Sequence, residues 1–193
     1  MQQKKPTLHV IIASTRKGRK GPLVADWFMT HATEHGGFEI ELIDLAEVNL
    51  PLFDEPHHPR LAKYEHEHTR AWSATVSRAD AFVFVTPEYD FSAPSSLTNA
   101  IQYLVREWAY KPVAFVSYGG VSGGTRGVQM TKQTVTALAM VPIPEAVAIP
   151  FFANHIDKEA GTFDPGEVQV KAARVMLDAL RKWTDALRPM RAG

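Results

Sequence analysis

Residues 81–86 read Ala-Phe-Val-Phe-Val-Thr and stop at Pro87. The run is almost wholly apolar and rich in β-branched and aromatic residues, so it reads as a strand buried on both faces. Such strands belong to parallel sheets covered by helices on each side. Pro112–Ser117 (PVAFVS) repeats the design, and Leu8–Ala13 (LHVIIA) shares it. Ala146–Ile149 (AVAI) is a shorter version bounded by prolines, and Phe38–Leu45 (FEIELIDL) alternates as a strand with one polar face does. Helical spacing predicts helices over about Leu23–His35, Leu61–Ser77, Ser96–Trp108, Gly127–Met140 and Glu167–Leu187. Strand then helix, five times over, predicts a doubly wound α/β fold with a five-stranded parallel sheet. No linker or repeat interrupts it, so residues 1–193 read as one domain. Asn49–Arg60 (NLPLFDEPHHPR) reads as a proline-rich surface loop.

Composition removes several classes of function. Lys+Arg and Asp+Glu both number 21, for a formal net charge of zero. Nucleic-acid binders usually show a basic excess, and carriers that dock on basic partners show an acidic one. There is no cysteine, which excludes disulfides, thiolate nucleophiles and cysteine-held metals. Redox chemistry in such a chain must come from a borrowed cofactor. No apolar run approaches the ~20 residues of a membrane span. The opening MQQKKPT leads into a strand without a secretory segment, so a cytoplasmic location is expected.

Ligands of open α/β sheets bind outside the carboxyl ends of the strands. Three loops at those ends carry unusual chemistry. Ser14–Pro22 (STRKGRKGP) follows the first strand and opens a helix, where free N–H groups and the helix dipole favour an anion. It lacks the glycines of a P-loop or a dinucleotide fingerprint, and alone it fits a phosphate loop or a basic turn equally well. Thr86–Pro94 (TPEYDFSAP) is a loop held between prolines that could offer backbone groups to a planar heterocycle, or simply bury its aromatics. Ser117–Gly124 (SYGGVSGG) has four glycines in six positions, which allow close approach of a ligand to backbone.

Together these residues resemble the NADPH-dependent FMN reductase family, which includes quinone, azo-dye and chromate reductases. The resemblance runs from about Val10 to Pro150 and is most specific at Thr86–Leu104 (TPEYDFSAPSSLTNAIQYL). It implies a flavodoxin-like three-layer αβα sandwich with strand order 2-1-3-4-5. It also implies bound FMN, with NADPH or NADH as co-substrate. Ser14, Arg16, Arg19 and the backbone of Gly21, Pro22 and Leu23 would hold the phosphate. Pro87, Glu88, Tyr89 and Asp90 would line one edge of the isoalloxazine, and Ser117, Gly119 and Gly120 would support the ring from the other side. Asp90 stands where the family usually has asparagine, and Thr98 where it has lysine. A carboxylate aimed at the ring would lower the flavin potential or be held protonated by desolvation. Contact through backbone alone would leave the side chain idle.

The implied activity is ping-pong hydride transfer from NAD(P)H to flavin, then electron transfer to a quinone, flavin, azo or similar acceptor. No catalytic side chain is named, because the cofactors carry the chemistry. A flavodoxin-type electron carrier and a flavin-free binding module are the rivals. Family resemblance further implies a homodimer, or a tetramer, packed through the helices after strands three and four. His57, His58, His66 and His68 lie near Asp54, Glu55, Glu65 and Glu67, but without the HExxH spacing they read as a solvated rim rather than a metal site.

Overall fold

A computed structural model describes residues 4–191. The chain runs β1 (Thr7–Ile12), α1 (Gly21–His35), β2 (Glu39–Asp44), α2 (Leu45–Val48), α3 (Glu67–Arg78), β3 (Ala81–Pro87), α4 (Ser95–Gln102), β4 (Pro112–Tyr118), α5 (Thr125–Ala137), β5 (Val141–Pro142), β6 (Val147–Ile149), β7 (Ile156–Asp157), β8 (Thr162–Phe163) and α6 (Glu167–Leu187). The main sheet is parallel in the order β2-β1-β3-β4-β5, with β6 also paired to β4. This is the flavodoxin-like order.

The strands alternate between two apolar layers. Leu8, Val10, Ile12, Val83, Val85, Ala114 and Val116 meet Val24 and Phe28 of α1 and Met176, Leu177 and Leu180 of α6. Ile11, Phe82, Phe84, Val113 and Phe115 face Trp72 and Val76 of α3, Leu97 and Ile101 of α4, and Val128 and Val135 of α5. Both faces of β3 and β4 are buried, as their unbroken apolar runs require.

Three departures from the sequence reading have local causes. The fifth strand is split: β5 pairs with the start of β4 and β6 with its end. Pro142 and Pro144 have no N–H for a ladder, so the chain leaves the sheet between the two pieces. Helix α3 starts at Glu67 rather than Leu61, because Pro59–Leu61 forms a 3-10 turn ended by Ala62 at φ 52°. Helix α4 stops at Gln102, and Arg106–Trp108 is a separate 3-10 turn. Leu104 and Trp108 still point inward, which is why their spacing looked helical. No helix among the described residues is long and apolar enough to cross a membrane.

Candidate flavin site

At the carboxyl end of β1 the chain turns through Ser14–Lys20 into α1. Lys20 occupies the cap position without a side-chain cap bond, and Pro22 fits the first turn, where an N–H has no helical partner anyway. The start of α1 therefore keeps its donors free for an anion. Gly21 is buried, and a Cβ there would collide with Ser14 Oγ and lie 2.9 Å from Ile12 Cγ2 and 3.1 Å from Tyr118 Oη. Leu23 packs against the core, leaving only its backbone for the loop. Buried Ser14 accepts from Tyr118 Oη at 3.4 Å, which leaves its own hydroxyl proton free to donate. Burial pushes the Tyr118 phenol up to about 12, so it stays a donor.

The two arginines of this loop divide. Arg16 is exposed, and among the described residues its side chain makes one hydrogen bond, from Nη1 to Lys17 O at 3.2 Å. Arg19 forms a two-pronged pair with Asp44, at 2.6 Å for each bond, and also donates to Ser14 O at 2.9 Å. Bonding to Asp44 holds its pKa above the ordinary arginine value. Arg19 is thus tied to the end of β2, and the expectation that it grips phosphate gives way to one that it shapes the loop.

Glu88 departs from expectation in a similar way. The residue lines the cleft described below, but its carboxylate turns toward α5. It accepts from Ser122 Oγ at 2.9 Å, Arg126 Nε at 2.8 Å, and the N–H groups of Arg126 at 3.0 Å and Gly127 at 3.3 Å. The last two belong to the first turn of α5, so Glu88 caps that helix from another loop. Burial pulls its pKa upward, but bonds from Ser122, Gly127 and Arg126 outweigh burial and hold it below the usual value.

Beyond Glu88 the chain makes a tight turn, with Tyr89 and Ser92 exchanging N–H···O bonds of 2.9 Å each way. Asp90 (φ 49°) and Phe91 (φ 67°) hold the two central positions, both left-handed, as a type I′ turn demands. Asparagine and aspartate tolerate that conformation better than most residues. Asp90 is exposed, and no hydrogen bond to its side chain forms among the described residues. Its place in the turn therefore accounts for it without the ring.

Ser117 is buried at the end of β4, with its hydroxyl 3.5 Å from Val147 O on β6. It braces the strands and does not reach the cleft. Gly119 donates to Ile149 O at 3.2 Å, while a Cβ on Gly120 would meet nothing within 4 Å.

The three loops meet around a cleft of about 170 Å³, lined by Arg16, Lys20, Pro87, Glu88, Tyr89, Tyr118, Gly119, Gly120 and Phe152. Tyr118 and Phe152 went unnoticed as lining residues. Tyr118 ends an apolar strand beside the glycines, and Phe152 follows β6 at the same edge, which is the signal each offered. Their rings meet edge to face, 5.1 Å between centroids. A hollow of about 280 Å³ lies beyond Thr15, lined by Leu45, Ala46, Asn49, Leu50, Ser96, Asn99 and Ala100. It offers no cation and no aromatic ring. The cleft joins an uncapped helix start and a free arginine to a glycine wall and aromatic rings, the donor set that a phosphorylated planar heterocycle needs.

Comparison with known proteins gives the chain its relatives. A sequence model described as NADPH-dependent FMN reductase matches residues 6–154. An NAD(P)H-dependent FMN reductase of Schizosaccharomyces pombe is 38% identical over 162 residues, covering 83% of this chain and 80% of its own. One from Saccharomyces cerevisiae is 36% identical over 137 residues, covering 61% and 71%. An Arabidopsis thaliana NADPH:quinone oxidoreductase is 32% identical over 103 residues, covering 50% and 49%. The fold matches the flavoenzyme NAD(P)H:(acceptor) oxidoreductase of Paracoccus denitrificans with a TM-score of 0.72 at 24% identity, covering 94% and 98%.

Proposed function

Because this chain belongs to the NADPH-dependent FMN reductase family, we propose that FMN sits in the cleft at the carboxyl edge of its sheet. The chain is an FMN-dependent NAD(P)H oxidoreductase. The observation that carries the placement is the meeting of Arg16, Tyr89 and Gly120, from three separate loops, around one cleft. Arg16, the Ser14 hydroxyl and the free N–H groups at the start of α1 would hold the phosphate, a dianion at neutral pH. Pro87, Tyr89, Gly119 and Gly120 would flank the ring through backbone, with open space at Gly120 for its approach. Tyr118 and Phe152 would keep water from one side of it.

Bound there, FMN would supply hydride acceptance from NAD(P)H and electron donation to a second substrate. The protein supplies position, electrostatics and exclusion of water. The two substrates take turns at one face, which gives ping-pong kinetics. A quinone is the proposed acceptor, supported by relatives named as quinone oxidoreductases. A cytoplasmic homodimer packed through α4 and α5 is the proposed working form, supported by exposed Met130 on α5. Light scattering checks the mass.

The test is direct. Purified protein should be yellow, NADPH should bleach it without oxygen, and a quinone should restore the colour. Colourless protein that FMN cannot reconstitute would end the proposal. Bleaching that needs a second reductase would make the chain an electron carrier instead.

A further inference from the structure

Phe91 is placed against the ordinary preferences of its backbone. The second central position of a type I′ turn favours glycine, yet a phenylalanine stands there at φ 67°. A bulky residue with that φ is an outlier, and such outliers cluster at functional sites. Phe91 is also 63% exposed, so burial does not hold it there. One face of its ring lies under Arg126, with Cζ 4.0 Å from the centroid. Arg126 is itself steered by the buried Glu88 carboxylate at 2.8 Å. The terminal nitrogens of Arg126 donate no hydrogen bond among the described residues. The turn thus presents an oriented aromatic ring with a free face, next to a cation with free donors, two residues from cleft-lining Tyr89.

Position identifies the ligand. The reading above gives the cleft to FMN, so a nicotinamide dinucleotide whose reactive end reaches it would extend out past the rim, where Phe91 and Arg126 stand. We propose that Phe91 positions the adenosine half of the nicotinamide coenzyme: the purine stacks on the free face of the ring, and Arg126 faces its phosphate. Aromatic rings stack any nucleobase through its π-face, and a nearby arginine is a usual answer to a 2′-phosphate. Phe91 touches neither flavin nor nicotinamide and acts on binding alone. The proposal rests on the coenzyme reading above.

The experiment uses the flavin-loaded protein and its Phe91→Gly and Phe91→Tyr variants. Anaerobic stopped-flow reduction is measured with NADPH and with reduced nicotinamide mononucleotide, which has no adenosine. Phe91→Gly is expected to raise the NADPH concentration for half-maximal rate roughly tenfold, the effect of losing one stacked base. The limiting rate should be unchanged, and the mononucleotide should react identically with variant and parent. Phe91→Tyr should behave as the parent. Glycine suits the left-handed position, so thermal stability should hold or rise, which separates lost binding from damaged folding. Parental NADPH dependence in Phe91→Gly, an equal loss with both donors, or a changed oligomeric mass would each overturn the proposal. A parent that NADPH fails to bleach would overturn this reading together with the one beneath it, whereas the other outcomes leave the latter standing.

Discussion

Replacing Glu88 by alanine should destabilise the protein before any cofactor is considered. Its carboxylate, with the side chain 7% exposed, accepts four hydrogen bonds from Ser122, Arg126 and Gly127. A bond to a charged group contributes about 1.5–3 kcal/mol, but these four cannot simply be added. Arg126 is 45% exposed and regains water when released, so its share is small. Ser122 can rotate to solvent. What remains is a helix start stripped of its cap, which costs about 0.5–2 kcal/mol, plus the loosening of two loops. The sum is roughly 2–4 kcal/mol, or about 5–15 °C in the unfolding midpoint of a chain this size.

Glu88→Gln should lose about half as much. Its oxygen can still face the two N–H groups, but its amide then opposes Arg126 donor to donor. Urea unfolding of flavin-free parent and variants measures these differences. The folded carboxyl has a depressed pKa, so its contribution is present above the unfolded value of about 4.3 and is lost as pH falls through the lower folded one. The gap between parent and Glu88→Gln should therefore close in acid. If the flavin-free proteins unfold together at neutral pH and only flavin affinity differs, the carboxylate acts on the flavin and the capping argument is wrong.

The loop arginines should separate in the same assays. Arg16→Met should leave stability within about 0.5 kcal/mol, as exposed sites do, and weaken FMN binding tenfold or more by fluorescence titration. Arg19→Met should cost about 3 kcal/mol by stranding Asp44, and a reversed pattern would mean that the roles are exchanged. Asp90→Asn should leave the flavin midpoint potential unchanged in redox titration, because the carboxylate is exposed; a clear upward shift would restore its role at the ring. Lys111 is buried, donates to Val76 O at 2.9 Å, and has its pKa pushed by burial down to about 8. Folding thus favours its neutral form, so stability should rise between about pH 8 and 10.4 by up to roughly 3 kcal/mol. Lys111→Met should remove that rise, and an unaltered pH profile would show that the charge is solvated.

The fold was legible because three strands are apolar on both faces and only a covered parallel sheet accommodates them. What escaped was backbone detail set by single residues. Pro142 and Pro144 split the fifth strand, and Leu104 and Trp108 keep a helical spacing across two unconnected turns. The loops of the site were legible by position, since any glycine-rich turn at a strand's carboxyl end meets its neighbours there. Partner choice was not. Arg16 and Arg19 sit three apart in one basic loop, and nothing local distinguishes them. The distinction comes from Asp44, placed beside Ile12 by the parallel register of β1 and β2.

Loops from different strands share no ladder beyond the sheet edge, so something else must hold them in register. Here side chains do it: Arg19 binds the first loop to β2, Tyr118 reaches from β4 to Ser14, and Glu88 fastens the second loop to the third and to α5. Each tie consumes a charged or polar side chain of the kind that motif reading assigns to the ligand. Each also leaves the backbone groups and glycines it positions free to meet one. Two classes of variant follow from that division. Removing a tie should lower stability and flavin affinity together, whereas filling the space at Gly120 should lower affinity alone.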